Sequence, residues 1–210
     1  MLNGKVRVAV LVSGGGTNLQ AILDARGKVI RSAEVALAVS NKPNAYALER
    51  AKAAGIPALA LSPKALGGKE AFERELQKAL EHEKIDLIVL AGFLVILSPD
   101  FTRRWDHRIL NIHPALIPSF CGKDYYGLHV HEAALARGVK VTGATVHFVN
   151  EIPDGGEILL QKAVEVLPDD TPETLQRRVM EQAEWILLPR AVETVASGML
   201  ADPSSRMKRS

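Results

Sequence analysis

Apolar residues along this chain fall into two rhythms, and their alternation outlines a fold. Short, continuous apolar runs at positions 6–12, 35–40, 58–61, 87–91 and 109–112 predict strands. Between them, apolar positions recur at helical spacing over 19–26, 45–54 and 69–83. Strands that lack polar alternation and are separated by helices predict a parallel sheet covered on both faces. The rhythm changes after Pro114. Residues 114–127, with Pro118, Gly122 and Gly127, read as a long loop leading into a helix at 130–137. Two longer strands follow, at 141–149 and 157–166, around a turn at 150–156; they predict an antiparallel hairpin added to the sheet. A last helix opens at Thr171, with Pro172 in its first position, and runs to about Ala196, with Pro189 expected to mark a kink. The predicted fold class is α/β: a mostly parallel, Rossmann-like sheet with helices on both faces and a C-terminal antiparallel hairpin. No repeat or linker divides the chain, so one domain is expected over 1–198, followed by a flexible basic tail over 199–210.

Composition narrows the classes of function. A chain of 210 residues suits one large domain, and 47% hydrophobic with 24% charged residues is ordinary for a globular protein. The formal charge of +2 gives no case for binding nucleic acid. The single cysteine, Cys121, permits no intrachain disulfide and fits no zinc motif. No apolar run reaches the ~20 residues that span a bilayer, and the first strand begins with no leader before it. A cytoplasmic protein with no membrane partner is expected.

Ser13-Gly14-Gly15-Gly16-Thr17-Asn18 joins the first predicted strand to the first helix. Glycines let a ligand approach the backbone, and free amides at a helix start attract phosphate. A nicotinamide dinucleotide fits poorly: Leu19 occupies the third glycine position of GxGxxG, and the second strand ends in Ser40-Asn41 without an acidic residue. No Gly-Lys-Ser/Thr follows, so the loop is not of the Walker type. A smaller phosphate monoester is the preferred ligand; the alternative is a tight turn that binds nothing.

Asn111 and His113 lie two apart at the end of a predicted strand and therefore share a face. Pro114 then ends the ladder. An amide that can bind an oxyanion beside a group that moves protons suits carbonyl-group chemistry. Asp154, in Pro153-Asp154-Gly155-Gly156, is the candidate carboxylate partner, since a nearby carboxylate favours imidazolium. Each also has a plain structural reading: a satisfied histidine before proline, and an efficient hairpin turn. His147 can share a face with Thr145, as an orienting group or as a core histidine. His129 and His131 lack a third metal ligand at recognisable spacing, and Cys121 lacks a base. No metal is expected.

The order and spacing of these motifs, with Leu90-Ala91-Gly92-Phe93, Leu97-Ser98-Pro99 and the run from Gly127 to His131, resemble the phosphoribosylglycinamide formyltransferase family, folate-dependent enzymes of purine biosynthesis. The resemblance covers position 6 to about 196. It implies transfer of a formyl group from 10-formyltetrahydrofolate to the amino group of glycinamide ribonucleotide, both small-molecule partners. It assigns the ribonucleotide phosphate to Gly16, Thr17 and Asn18, its ribose to Glu184, and catalysis to Asn111, His113 and Asp154. Protonated His113 is implied to stabilise the oxyanion and then pass a proton to the departing folate nitrogen, with Asp154 raising its pKa. Folate contacts are implied for Leu94, Val95, Ile96, Leu97 and Asn111, with Lys69 near the folate tail. Three departures stand out. Val95 replaces an arginine found in some members, and the stretch 119–126 is longer than in the shortest members. Trp185 replaces a histidine often found after Glu184, and the helix before it is one residue longer. Methionyl-tRNA formyltransferases carry a further C-terminal domain and formyltetrahydrofolate hydrolases a further N-terminal one, so length favours the ribonucleotide enzymes over a hydrolase-like one. The alternative from another class is a non-catalytic phosphate- or nucleotide-sensing module. A monomer and a homodimer are equally compatible with the sequence.

Overall fold

In the computed structural model, which describes residues 4–202, the first strand already states the layering. Along β1 (Val6–Val12), Val8, Val10 and Val12 enter one hydrophobic core while Ala9 and Leu11 enter a second on the other face. The other strands are β2 (Ala33–Ser40), β3 (Ala58–Ala60), β4 (Leu87–Leu90), β5 (Ile109–His113), β6 (Val141–Phe148) and β7 (Ile158–Glu165). Among the described residues these seven form one sheet in the order β3-β2-β1-β4-β5-β6-β7. The pairs from β3 to β5 are parallel, while β5–β6 and β6–β7 are antiparallel. The expected fold class is therefore the one observed.

The helices in chain order are α1 (Thr17–Asp24), α2 (Tyr46–Ala53), α3 (Lys69–His82), α4 (Pro99–Arg104), α5 (Leu128–Arg137), α6 (Pro172–Val179) and α7 (Trp185–Ala201). Buried residues of α1, α2, α5, α6 and α7 join the first core. Phe72, Leu76 and Leu80 of α3 and Phe101 of α4 join the second. Burial on both faces explains the uninterrupted apolar strands.

Differences from the sequence reading are local. Helix α4 was not anticipated; Ser98 caps it by accepting the Phe101 N–H at 3.2 Å, and Pro99 sits in its first turn. Glu73 of α3 holds that cap, accepting from the Ser98 N–H at 2.6 Å and hydroxyl at 2.5 Å. The last helix begins as expected at Pro172, with Thr171 and Thr174 capping each other reciprocally. Its interruption comes before Pro189, as a π-helical stretch over Met180–Glu184. A π turn holds one more residue than an α turn, so the ladder is widened locally at this stretch. Pro189 then lies within α7, one turn beyond a ladder already widened. Helix α7 continues to Ala201 rather than ending near 196. Of the expected tail, 203–210 lies outside the described residues.

Candidate active site

The β5–β6 pairing sets Asn111 opposite His147 and His113 opposite Thr145. Directly opposed residues share a face, so the amide and the two imidazoles converge. A register shift between Val146 and His147 in the β6–β7 pair marks a bulge at this point, a common device for re-aiming a side chain beside a site. Thr145 shapes the chain beyond Pro114: its hydroxyl donates to the Ala115 carbonyl at 2.7 Å and accepts from the Ile117 N–H at 3.1 Å.

Asp154 lies in the β6–β7 turn with a left-handed φ of 55°. The turn is closed by Gly156, where a Cβ would lie 1.8 Å from the Phe148 carbonyl oxygen, so no side chain fits. This geometry brings Asp154 Oδ2 to 2.8 Å from the Gly122 N–H and 3.6 Å from His113 Nδ1. Its Oδ1 lies 3.4 Å from Asn111 Nδ2 and 3.5 Å from His147 Nε2. Asn111, His113 and Asp154, named from three separate sequence positions, thus form one cluster.

Hydrogen bonds to carbonyls fix the tautomers, because a carbonyl can only accept. His113 Nε2 donates to the Phe120 carbonyl at 2.8 Å, which leaves Nδ1 as its basic nitrogen, facing Asp154. His147 Nδ1 donates to the Phe148 carbonyl at 2.7 Å, which leaves Nε2 to accept from Asn111 Nδ2 at 3.1 Å. His147 therefore orients the Asn111 amide, a role the sequence left open against a plain core histidine.

Burial pushes the His113 pKa down; the Asp154 charge and the Phe120 carbonyl pull it up, His147 pushes it down further, and the net shift is downward. Asp154 does favour the imidazolium, as expected, but His113 is only 4% exposed and desolvation is the larger effect, so burial and charge oppose each other at this ring. Burial pushes the Asp154 carboxyl up, but the neighbouring His147 and His113 rings and the Gly122 N–H that donates to it outweigh burial and leave it below the ordinary carboxylate value.

These groups line a cavity of about 570 Å³ beyond the carboxyl ends of β4 and β5. Leu94, Val95, Ile96 and Leu97 form part of its wall, so the expected folate segment and the catalytic candidates share one space. Lys69 is exposed at the start of α3 and is not among the lining residues. Tyr125 and Tyr126, 37% and 50% exposed, also line the cavity; the sequence reading assigned them nothing. Their signal was available as two adjacent aromatics in a polar loop beside the His-Pro motif. Among the described residues, no group of three or more His, Cys, Asp or Glu side chains is placed to hold a metal ion. No described helix is long and apolar enough to cross a membrane.

The glycine loop is braced by α2. Ala47 N–H donates to the Gly14 carbonyl at 3.1 Å, and Arg50 Nε donates to the Gly15 carbonyl at 2.8 Å. Gly16 has a φ of 74°, and a Cβ there would lie 2.5 Å from that of Ala47. Only glycine permits this approach. Thr17 opens α1, whose first N–H groups have no intrahelical acceptors. Asn18 is turned inward, its Nδ2 donating to Glu184 Oε2 at 2.6 Å, while its own Oδ1 has no partner. The expected phosphate and ribose positions are thus adjacent, although 166 residues apart in sequence. Burial raises the Glu184 pKa to about 7, with the Asn18 hydrogen bond pulling against it.

Comparison with known proteins agrees with this geometry. The formyl transferase family pattern matches residues 6–192. A phosphoribosylglycinamide formyltransferase from Haemophilus influenzae is 41% identical over 92% of this chain and 89% of its own. Trifunctional purine biosynthetic proteins adenosine-3 from Drosophila melanogaster and Gallus gallus are 45% and 46% identical. This chain spans only 14% and 19% of their lengths, respectively. Glycinamide ribonucleotide transformylase 1 from Symbiobacterium toebii superposes with a TM-score of 0.86 at 43% identity, covering 92% of this chain and 89% of that one. With the family pattern spanning residues 6–192 and close relatives alike in sequence and fold, this chain belongs to the formyl transferase family.

Proposed function

We propose that this chain transfers the formyl group of 10-formyltetrahydrofolate to the amino group of glycinamide ribonucleotide, a step of purine biosynthesis, in the cytoplasm. One observation carries the reading: Asn111, His113 and Asp154 converge in the same cavity that Leu94–Leu97 lines. The names and high coverage of the bacterial relatives support the same reaction.

Neutral His113 is suited to begin as a base. As the amine nitrogen bonds to the formyl carbon, the formyl oxygen takes the electron pair, and Asn111 Nδ2 donates to it the hydrogen held by the long 3.4 Å contact with Asp154 Oδ1. His113 Nδ1 accepts the proton shed by the amine, and the resulting imidazolium faces Asp154 at 3.6 Å. That proton then goes to the folate nitrogen as its bond to carbon breaks, giving the formamide and tetrahydrofolate. The carboxylate is useful because it stabilises the imidazolium between the two transfers, when burial opposes the charge most. The first turn of α1, at Gly16, Thr17 and Asn18, receives the phosphate, and Glu184 the ribose. Leu94–Leu97 and Asn111 contact the folate, and Lys69 serves a folate tail that extends beyond the cavity.

The deciding assay supplies both substrates and follows deformylated folate. Folate appearing only when the ribonucleotide is present establishes transfer; folate appearing equally without it identifies a hydrolase. Absence of turnover by folded protein in the complete mixture favours a non-catalytic sensing module.

A further inference from the structure

Ser13, the last residue before the three glycines, is 3% exposed, and its polar atoms bond to two other strand ends. The β1–β4 ladder ends with the Ala91 N–H donating to the Leu11 carbonyl at 2.9 Å. Gly92 then takes a φ of 74°, which puts the following residues out of step with the ladder. Ser13 bridges this break. Its N–H donates to the Gly92 carbonyl at 3.1 Å, and its Oγ accepts the Leu94 N–H at 2.9 Å. A side-chain oxygen thus does what a main-chain carbonyl does one step earlier. The Ser13 hydroxyl proton goes to Asn41 Oδ1 at 2.6 Å, just beyond β2.

We propose that Ser13 is a positioning residue that couples the two substrate sites, an inference that rests on the function proposed above. Leu94 begins the folate-facing wall, and Gly14 begins the phosphate loop one peptide bond from Ser13. The hydroxyl is the side-chain connection between them, beside the main-chain bond from the Ser13 N–H to the Gly92 carbonyl. A phosphate drawn onto the first turn of α1 restrains the glycine loop. Through Ser13 that restraint reaches the Leu94 amide, so an occupied acceptor site tightens the donor site, and by reciprocity the donor tightens the acceptor. Ser13 touches neither reacting group. Its effect is on donor affinity, although it sits in the acceptor's loop.

The test is calorimetric titration with 5,8-dideazafolate, a folate without a formyl group to transfer, in the presence and absence of glycinamide ribonucleotide. The ribonucleotide is expected to tighten wild-type binding roughly fivefold, within the usual range of such couplings. Ser13→Ala should weaken the folate analogue about tenfold, the loss expected for a buried N–H left without an acceptor. In that variant the tightening should fall below about twofold while ribonucleotide affinity alone stays within about twofold of wild type. Ser13→Thr, which keeps the hydroxyl, should restore both. Should Ser13→Ala fail to fold, Asn41→Ala removes only the hydroxyl's acceptor and should weaken the coupling by about half as much. Unchanged folate affinity and coupling in these variants would overturn the proposal. So would a loss of ribonucleotide affinity as large as the loss of folate affinity, which marks a merely structural residue. Because no readout requires turnover, wild-type protein that binds and couples both ligands but transfers no formyl group refutes the proposed reaction and leaves Ser13 standing. Wild-type protein that binds no folate analogue refutes both.

Discussion

Asp154, in the β6–β7 turn, and Glu184, at the end of the π-helical stretch, are both carboxylates withdrawn from water, yet they are driven in opposite directions. The Asp154 side chain, 13% exposed, has two imidazoles, an amide and a main-chain N–H around it, and its pKa falls. Glu184, 6% exposed, has the neutral amide of Asn18 as its hydrogen-bond donor, and its pKa rises to about 7. Burial raises both. What differs is how many polar groups face the carboxylate: imidazoles and a main-chain N–H for Asp154, one amide for Glu184. A carboxylate beside an imidazole is kept ionised to support a proton transfer; one beside a neutral amide is left able to hold a proton near neutrality.

The strongest way to break this contrast is to remove the imidazole that gives Asp154 its purpose. His113→Ala should lower kcat by roughly 10²–10⁴, the range for a positioned proton-transfer group; an unaltered turnover number in steady-state assays would end its assigned role. Asn111→Ala comes next, at about 10²–10³ in kcat if its amide meets the oxyanion. A change confined to KM would move Asn111 to binding alone. Asp154→Asn tests the charge itself. In the proposed mechanism neutral His113 is the working form, so activity is expected to fall as pH drops through its pKa. Without the carboxylate the imidazolium loses its stabiliser, and the acidic limb of the pH–rate profile should move down by about one unit. An unmoved limb would leave Asp154 as a turn residue.

Glu184→Gln should have the smallest effect and sharpens the other half of the contrast. The folded pKa of Glu184 lies above its unfolded value, so its favourable contribution is full below about pH 4.5 and is lost as pH rises to about 7. Wild-type melting temperature should carry that decline, and the glutamine variant, which keeps an oxygen for Asn18, should lack it. Parallel melting profiles for the two proteins would show that Glu184 does not titrate as its surroundings dictate.

The strands were legible because burial on both faces leaves an uninterrupted apolar signature, and the pairing of Asn111 with His113 followed from strand alternation alone. Helix α4 was not, since six residues are too few for a helical period to emerge and its cap depends on Glu73, 25 positions earlier. The Asn18–Glu184 hydrogen bond was hidden for a similar reason. Each residue could be assigned a ligand separately, but nothing local says that the two face each other. The neighbouring carboxylate that raises the His113 pKa was legible in the sequence, whereas the desolvation that opposes it depends on packing from distant segments and was not.

The π-helical stretch at Met180–Glu184 has a consequence for how this chain tolerates change in length. A residue added to a regular helix rotates everything beyond it by about 100°, which would swing Glu184 away from Asn18 and turn the apolar face of α7 off the sheet. A π turn confines such an extra residue to one wide turn, and on either side of this one Glu184 meets Asn18 and α7 packs on the sheet. Losing one residue from that turn would return it to ordinary α geometry with the same flanking contacts. The segment therefore works as local slack in the chain, taking up a change in helix length while α6 before it and α7 after it keep their faces on the core.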